Sequence, residues 1–250
     1  MKQFVLTSSM GKRLIAKAVA IHPSVVKAMK KGTVVIVAGT TNGYVADELL
    51  SATGQQANFT PKGFRRGLVV PPGFDVRSTT GSFSGDVVLV DGKWQEGKQI
   101  FDVVEDLSSG DVVIKGANAV NIRRKQAGVL VADRWSGTIG AAIPLVAGRK
   151  VKLIIPVGLE KRICEDIAEL AQQLNAPGTG APGMLAMPGE VITELQAVEM
   201  LTAASAKLIA GGGIYGAEGA VRIGITGQEG HVVAAAKLLE SLADEPPCEA

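Results

Sequence analysis

Hydrophobic residues in this chain fall into short unbroken runs, set between glycine-rich polar turns and stretches with apolar positions three and four apart. The run Val34-Val35-Ile36-Val37 is apolar at every position, as expected of a parallel strand covered on both faces. Similar strands are expected at 111–115, 128–132 and 151–156. Residues 86–94 read as a hairpin, because Asp91-Gly92 suits a tight two-residue turn. Helices are predicted over 11–20 behind the capping residues Ser8 and Ser9, and over 23–31 between Pro23 and Gly32. Others are predicted from the Gly43 turn to about Leu50, over 101–107, over 138–147, and in the stretch up to Leu174. Strand and helix alternate from 34 to 174, which predicts an α/β core of three layers on a mostly parallel sheet.

Residues 53–84 are rich in Gly, Pro, Ser and Thr, with one expected strand at 67–70; so long a loop suggests a lid or a substrate wall. Residues 175–183 read as a linker or a loop over the sheet. Beyond them the pattern changes to a helix at 195–203, strands at 207–210 and 220–226, and a helix at 231–242. That order suggests a small α+β unit of ferredoxin-like type. The expected organisation is therefore a core domain over 1–175, a small unit over 184–243 and a mobile tail over 244–250.

Composition narrows the function classes. The 250 residues are 46% hydrophobic and 20% charged with a net charge of +2, an ordinary well-packed balance and too little positive charge to argue for nucleic acid. The basic groups Lys12-Arg13, Lys30-Lys31, Arg65-Arg66 and Arg123-Arg124-Lys125 read first as solvated surface. Two cysteines, Cys164 in a predicted helix and Cys248 in the tail, form no disulfide framework. His22 at a helix break and His231 capping the last helix have no metal-ligand spacing and no Ser-His-Asp setting. The start turns polar at Thr7-Ser8-Ser9, and no apolar run reaches the length of a membrane span. The expectation is a cytoplasmic protein with no metal, no cofactor, no nucleic acid and no membrane.

Four loops carry candidate chemistry. Gly39-Thr40-Thr41-Asn42-Gly43 joins a strand to a helix, so backbone N–H groups and two hydroxyls converge beside the positive end of a helix dipole. It matches neither a Walker loop nor a dinucleotide fingerprint. Lys115 and Gly116 stand at the carboxyl end of a strand, where α/β sheets bind ligands, with Asn118 and Asn121 close behind. Lys115 could hold an anion or act as a general acid if burial lowers its pKa. Asp133, ahead of Gly137-Thr138, could orient a hydroxyl, act as a base or simply cap the next helix. Glu160 and Lys161 follow another strand, and the sequence does not separate a site from a charged first turn. Gly211-Gly212-Gly213-Ile214-Tyr215-Gly216 mimics a dinucleotide fingerprint, but a strand rather than a helix follows, so it reads as a turn with a bulge.

The order of these loops resembles the superfamily of ribose-5-phosphate isomerase, glucosamine-6-phosphate deaminase and the CoA transferases. Residues 30–43 resemble the isomerase opening, whose loop grips the sugar phosphate, and Ile114-Lys115-Gly116 resembles its Ile-Lys-Gly segment. Gly116-Ala117-Asn118 and Gly137-Thr138-Ile139-Gly140 resemble motifs of methylthioribose-1-phosphate isomerase and its initiation-factor relatives. The likeness implies an anion seat at Gly39, Thr40, Thr41, Asn42 and Gly43. It also implies ligand contacts from Gly116, Asn118, Gly137 and Thr138, and acid–base chemistry from Lys115, Asp133 or Glu160. It departs where Arg124 stands at the position of the isomerase's proton-transferring glutamate, and where Asn118 replaces the other enzyme's aspartate. Asp102 and Glu105 fall where the isomerase has two acids, but in a predicted helix. The resemblance implies a homo-oligomer that takes a small anionic metabolite, with sugar-phosphate isomerisation as the leading activity. The alternatives are a non-catalytic metabolite-sensing domain or a CoA-ester-using transferase.

Overall fold

The structure is a computed structural model that describes residues 1–74, 85–180 and 182–247. Seven α-helices and twelve strands follow in chain order among the described residues. The N-terminal part comprises β1 (Lys2–Leu6), α1 (Ser8–Ala20), α2 (Pro23–Lys30), β2 (Thr33–Ile36), α3 (Thr40–Ala52), β3 (Val87–Val90), β4 (Lys93–Trp94), β5 (Val112–Ile114), β6 (Ala119–Asn121) and β7 (Gln126–Val131). After these come α4 (Gly137–Pro144), β8 (Lys152–Pro156), α5 (Ile167–Leu174), β9 (Gly183–Ala186), β10 (Glu190–Ile192), α6 (Glu194–Thr202), β11 (Ser205–Gly212), β12 (Ala220–Thr226) and α7 (Glu229–Glu240).

The central sheet has the order β10-β8-β5-β2-β3-β4. Its first four strands are parallel, and the β3–β4 hairpin adds an antiparallel edge turning at Asp91-Gly92. The molecule is thus a mixed α/β protein with a mostly parallel central sheet and two antiparallel sheets beside it. Side chains of a strand alternate between its two faces. Val34, Ile36, Ile114 and Ile154 accordingly join one core with α1, α3 and α6. Val35, Val37, Val113, Leu153 and Ile155 join a second core with α4 and the sheet β6-β7-β9. The runs are apolar throughout because both faces are covered.

Several expectations change. The strand near 128–132 is β7, antiparallel to both β6 and β9 and outside the parallel sheet. A continuous apolar run reports coverage on two faces but not the direction of the neighbour. Residues 67–70 form no strand; the stretch from 53 is irregular apart from one short helical turn at Gln56–Asn58, and residues 75–84 lie outside the described residues. The helix expected over 101–107 is a single tight turn at Ile100–Asp102 followed by non-helical turns. Cys164 precedes α5 in an exposed bend, and the helix expected to be capped by His231 begins at Glu229 behind Gln228. Of the tail, Glu245 is tied to Arg13 (3.0 Å), whereas residues 248–250, including Cys248, lie outside the described residues.

Four strands were not expected, among them β6, which lies between β5 and β7 in the chain. β9 and β10 lie between α5 and α6, and β1 pairs with β12 along its whole length. The third sheet, β1-β12-β11, therefore joins the beginning of the chain to its end. Leu6, Ile223, Ile225 and Leu239 share one core with Val34 and Ile36. The Gly-rich run differs in part from its reading as a turn with a bulge: Gly211 and Gly212 end β11, paired with Val221 and Ala220, turns follow, and the register shift lies earlier, between Leu208 and Ala210. No helix among the described residues is long and apolar enough to cross a membrane.

Candidate anion-binding cleft

The carboxyl ends of β2, β5 and β8 open into a cleft of about 1120 Å³. Beyond β2 the backbone stays paired, since Val37 N donates to Ile114 O (3.0 Å), and Ala38 N then donates to Asp86 Oδ1 (2.9 Å). Gly39 is fully extended and α3 starts at Thr40 with no side-chain cap. The amides of Thr40, Thr41 and Asn42 precede the first helical hydrogen bond, from Gly43 N to Gly39 O (2.8 Å). They and the dipole of α3 meet the cleft as an unshielded positive end.

Two buried polar atoms sharpen this end. Asn42 is 1% exposed, and its Nδ2 donates to Val37 O (2.7 Å) and to Ile114 O (3.0 Å). Only an amide nitrogen can satisfy two carbonyls, so the orientation of the side chain is settled by its partners. Its Oδ1 then has no hydrogen-bond partner among the described residues, and neither does Oγ1 of Thr41, which is 2% exposed. Gly116 lies alongside: a Cβ there would stand 3.9 Å from Asn42 Oδ1.

Cations ring the same space. Lys115 leaves the end of β5 partly buried, and burial, with Arg66 and Lys161 adding to it and Asp86 opposing, lowers its pKa to about 8. Asp86 is fully buried at its carboxylate and holds three segments together. It accepts from Ala38 N (2.9 Å) and Ile100 N (2.9 Å), and pairs with Arg66 Nη1 (3.2 Å). Lys161 reaches back to donate to Ala117 O (2.9 Å). Leu68, Val69, Phe101 and Ile139 supply an apolar wall.

Across the cleft, Ser136, Gly137, Thr138 and Ile139 bring the N-terminus of α4 to the lining. Ser136 and Gly137 both have positive φ (65° and 52°), a turn that glycine adopts without a Cβ penalty. Asp133 braces it, its Oδ1 accepting from Trp135 N (2.7 Å) and Gly137 N (3.0 Å). Asn118 Oδ1 is engaged by Leu130 N (3.0 Å). Glu160 pairs with Lys12 (3.0 Å).

The fold thus brings Gly39, Thr40, Thr41, Asn42, Lys115, Gly116, Asn118, Asp133, Gly137, Thr138 and Glu160 to one cleft. Gly43 is set apart, one turn into α3, where a Cβ would meet Pro61 at 3.4 Å. Arg124, at the isomerase glutamate's position, pairs with Asp166 (2.8 Å) away from the cleft lining. Sequence reasoning missed Arg66, which looked like half of a surface pair, and Asp86, which looked like the start of a strand. It also missed Lys12 and Glu194. Only their partners, far away along the chain, distinguish them from surface charges. Compared with protein-family models, curated proteins and solved structures, the chain matches none.

Proposed function

We propose that this protein binds a phosphorylated or carboxylated small metabolite in the cleft and acts on it by sugar-phosphate isomerase-like chemistry. The supporting observation is the buried pair of unpartnered atoms at the N-terminus of α3. An orphaned buried polar group costs about 1–3 kcal/mol, so a ligand able to satisfy both atoms gains that free energy on binding. Thr41 donates and Asn42 Oδ1 accepts. The matching ligand carries anionic oxygens for the helix amides and the Thr41 hydroxyl, and a hydroxyl of its own for Asn42. A sugar phosphate has both groups. Lys115, charged or neutral near pH 8, neutralises the anion or moves a proton at the ligand's oxygen, and Glu160 is the carboxylate available to take one from carbon.

Asp133 is occupied as a brace, so its part is to hold Gly137 and Thr138 toward the ligand. The position of Arg124 outside the cleft favours a second reading, a sensor of the same ligand without catalysis. A thermal-shift screen over sugar phosphates, nucleotides, CoA esters and small acids separates the classes, with Thr41→Val and Lys115→Met alongside. A ligand at one hundred times its Kd stabilises the fold by about 2.7 kcal/mol. Solvent deuterium entering a carbon of the bound ligand, read by NMR, identifies an enzyme; binding without exchange identifies a sensor. A ligand whose stabilisation survives both substitutions overturns the site.

A further inference from the structure

Behind the anion seat lies a cluster of ionisable groups that the binding of an anion does not require. Glu194, the first residue of α6, is 2% exposed, and both its carboxylate oxygens face Leu159 N (3.2 and 2.9 Å). The space it fills exists because residue 11 of α1 is glycine: a Cβ there would stand 2.5 Å from Glu194 Oε1. The next residue of α1, Lys12, is 6% exposed and sends its Nζ to Glu160 Oε1 (3.0 Å) and Ser8 O (3.2 Å). Glu160 Oε2 in turn takes the space a Cβ on Gly158 would need. Two glycines, on two different elements, make room for two carboxylates.

The charges do not balance. Glu160, half-buried, and Glu194, buried, would together set two negative charges against the Lys12 ammonium, and like charges held close cannot both ionise cheaply. Lys12 pairs directly with Glu160, which also borders the cleft, so Glu160 is the better-stabilised anion. Glu194 accepts from the main chain and is shut away from water. The charged groups acting on it are Glu160 from the turn after β8 and Lys12 from α1.

We propose that Glu160 and Glu194 hold one proton between them at neutral pH as one acid–base unit beside the cleft. Glu160 faces the ligand, and Glu194, held on Leu159 N behind it, keeps the proton and acts through Glu160 as a positioning residue. The inference rests on the cleft being the ligand site. Burial first, then the neighbouring Glu160, raises the Glu194 pKa to about 8, with Lys12 opposing, which agrees with a proton retained at neutral pH. Shared in this way, the pair titrates in two coupled steps rather than as two separate acids. An anion seated nearby tightens the pair's hold on its proton, which keeps Glu194 neutral and leaves Glu160 as the carboxylate facing the ligand.

The test is carboxyl NMR of protein labelled with ¹³C-glutamate, titrated from pH 4 to 10 with and without inorganic phosphate. The resonance missing from Glu194→Gln is expected to titrate near pH 8. Its midpoint should fall by a unit or more in Glu160→Gln and rise in Lys12→Met. A midpoint in the ordinary carboxylate range, or one unmoved by Glu160→Gln, overturns the shared proton. If Glu194→Gln does not fold, the Glu160→Gln titration alone decides. Phosphate should shift the amides of Thr40, Thr41 and Asn42 and raise the pair's midpoint. Amide shifts with an unmoved midpoint would make the pair a structural feature and sink the proposal while leaving the anion seat standing. Absent amide shifts would remove the anion seat, and the phosphate-free titration would still decide the shared proton.

Discussion

Thr41 and Asn42 are neighbours with opposite duties. The Asn42 amide nitrogen closes the ends of β2 and β5 by holding Val37 O and Ile114 O, so truncation leaves two buried carbonyls unpaired. Asn42→Ala is expected to cost about 1–3 kcal/mol of stability, read from denaturant midpoints. The Thr41 hydroxyl has no such structural duty, and replacing an orphaned buried hydroxyl by a methyl removes a penalty. Thr41→Val should leave the midpoint unchanged or raise it while weakening phosphate binding about tenfold, roughly 1.4 kcal/mol by calorimetry. Loss of stability in Thr41→Val would show that the hydroxyl is structural. Glu194 makes a pH-dependent prediction. Its folded pKa, about 8, lies above the ordinary value near 4.5, so the folded state binds the extra proton between those pH values. Wild-type stability therefore falls as pH rises from about 4.5 to 8. Glu194→Gln should abolish that fall and gain on the wild type by a few kcal/mol in order of magnitude at pH 9. Parallel stability profiles for the two proteins would rule this out. The places of Lys115 and Glu160 at the cleft were legible in the chain because both follow apolar strand runs. Arg66 and Glu194 were not, because a charge acquires meaning only from burial and partners.

The helix α3 forms without the usual cap, and that omission marks the proposed anion seat. Gly39 at its N-cap is extended, and a Cβ added there would have Val37 O as its nearest neighbour at 3.9 Å, so a larger residue fits. Gly39→Asp should cap the helix, stabilise the protein by about 1 kcal/mol and abolish phosphate binding by placing a carboxylate on the same amides. A stabilised variant that still binds phosphate would place the anion elsewhere. Among the strands, β2, β5 and β8 were readable because burial on two faces leaves polar residues only at their starts, Thr33 and Lys152. β7 was readable as a strand for the same reason and misread in its direction, since parallel and antiparallel neighbours bury it equally. β1 escaped notice because Phe4 and Leu6 turn inward while Val5 is exposed, too short an alternation to stand out.

Across the molecule the first and last strands share a sheet, and the core beneath it runs without interruption to the parallel sheet. One cooperative transition is expected by both far-ultraviolet circular dichroism and the fluorescence of Trp94 in a Trp135→Phe background, with Leu6→Ala shifting both midpoints together. Two separated transitions would show instead that the C-terminal sheet melts independently. Local order in the chain determined the central strands, the strand-to-helix turns and the positive helix end at Thr40, because periodicity, glycine and backbone dipoles act over a few residues. The tertiary structure alone decided that Arg66, Lys115, Glu160 and the α4 turn border one cleft, that β1 closes on β12, and that Glu194 lies behind Glu160. Those relations join residues far apart in sequence, and burial, which sets the cost of every charge, exists only once the chain has closed on itself.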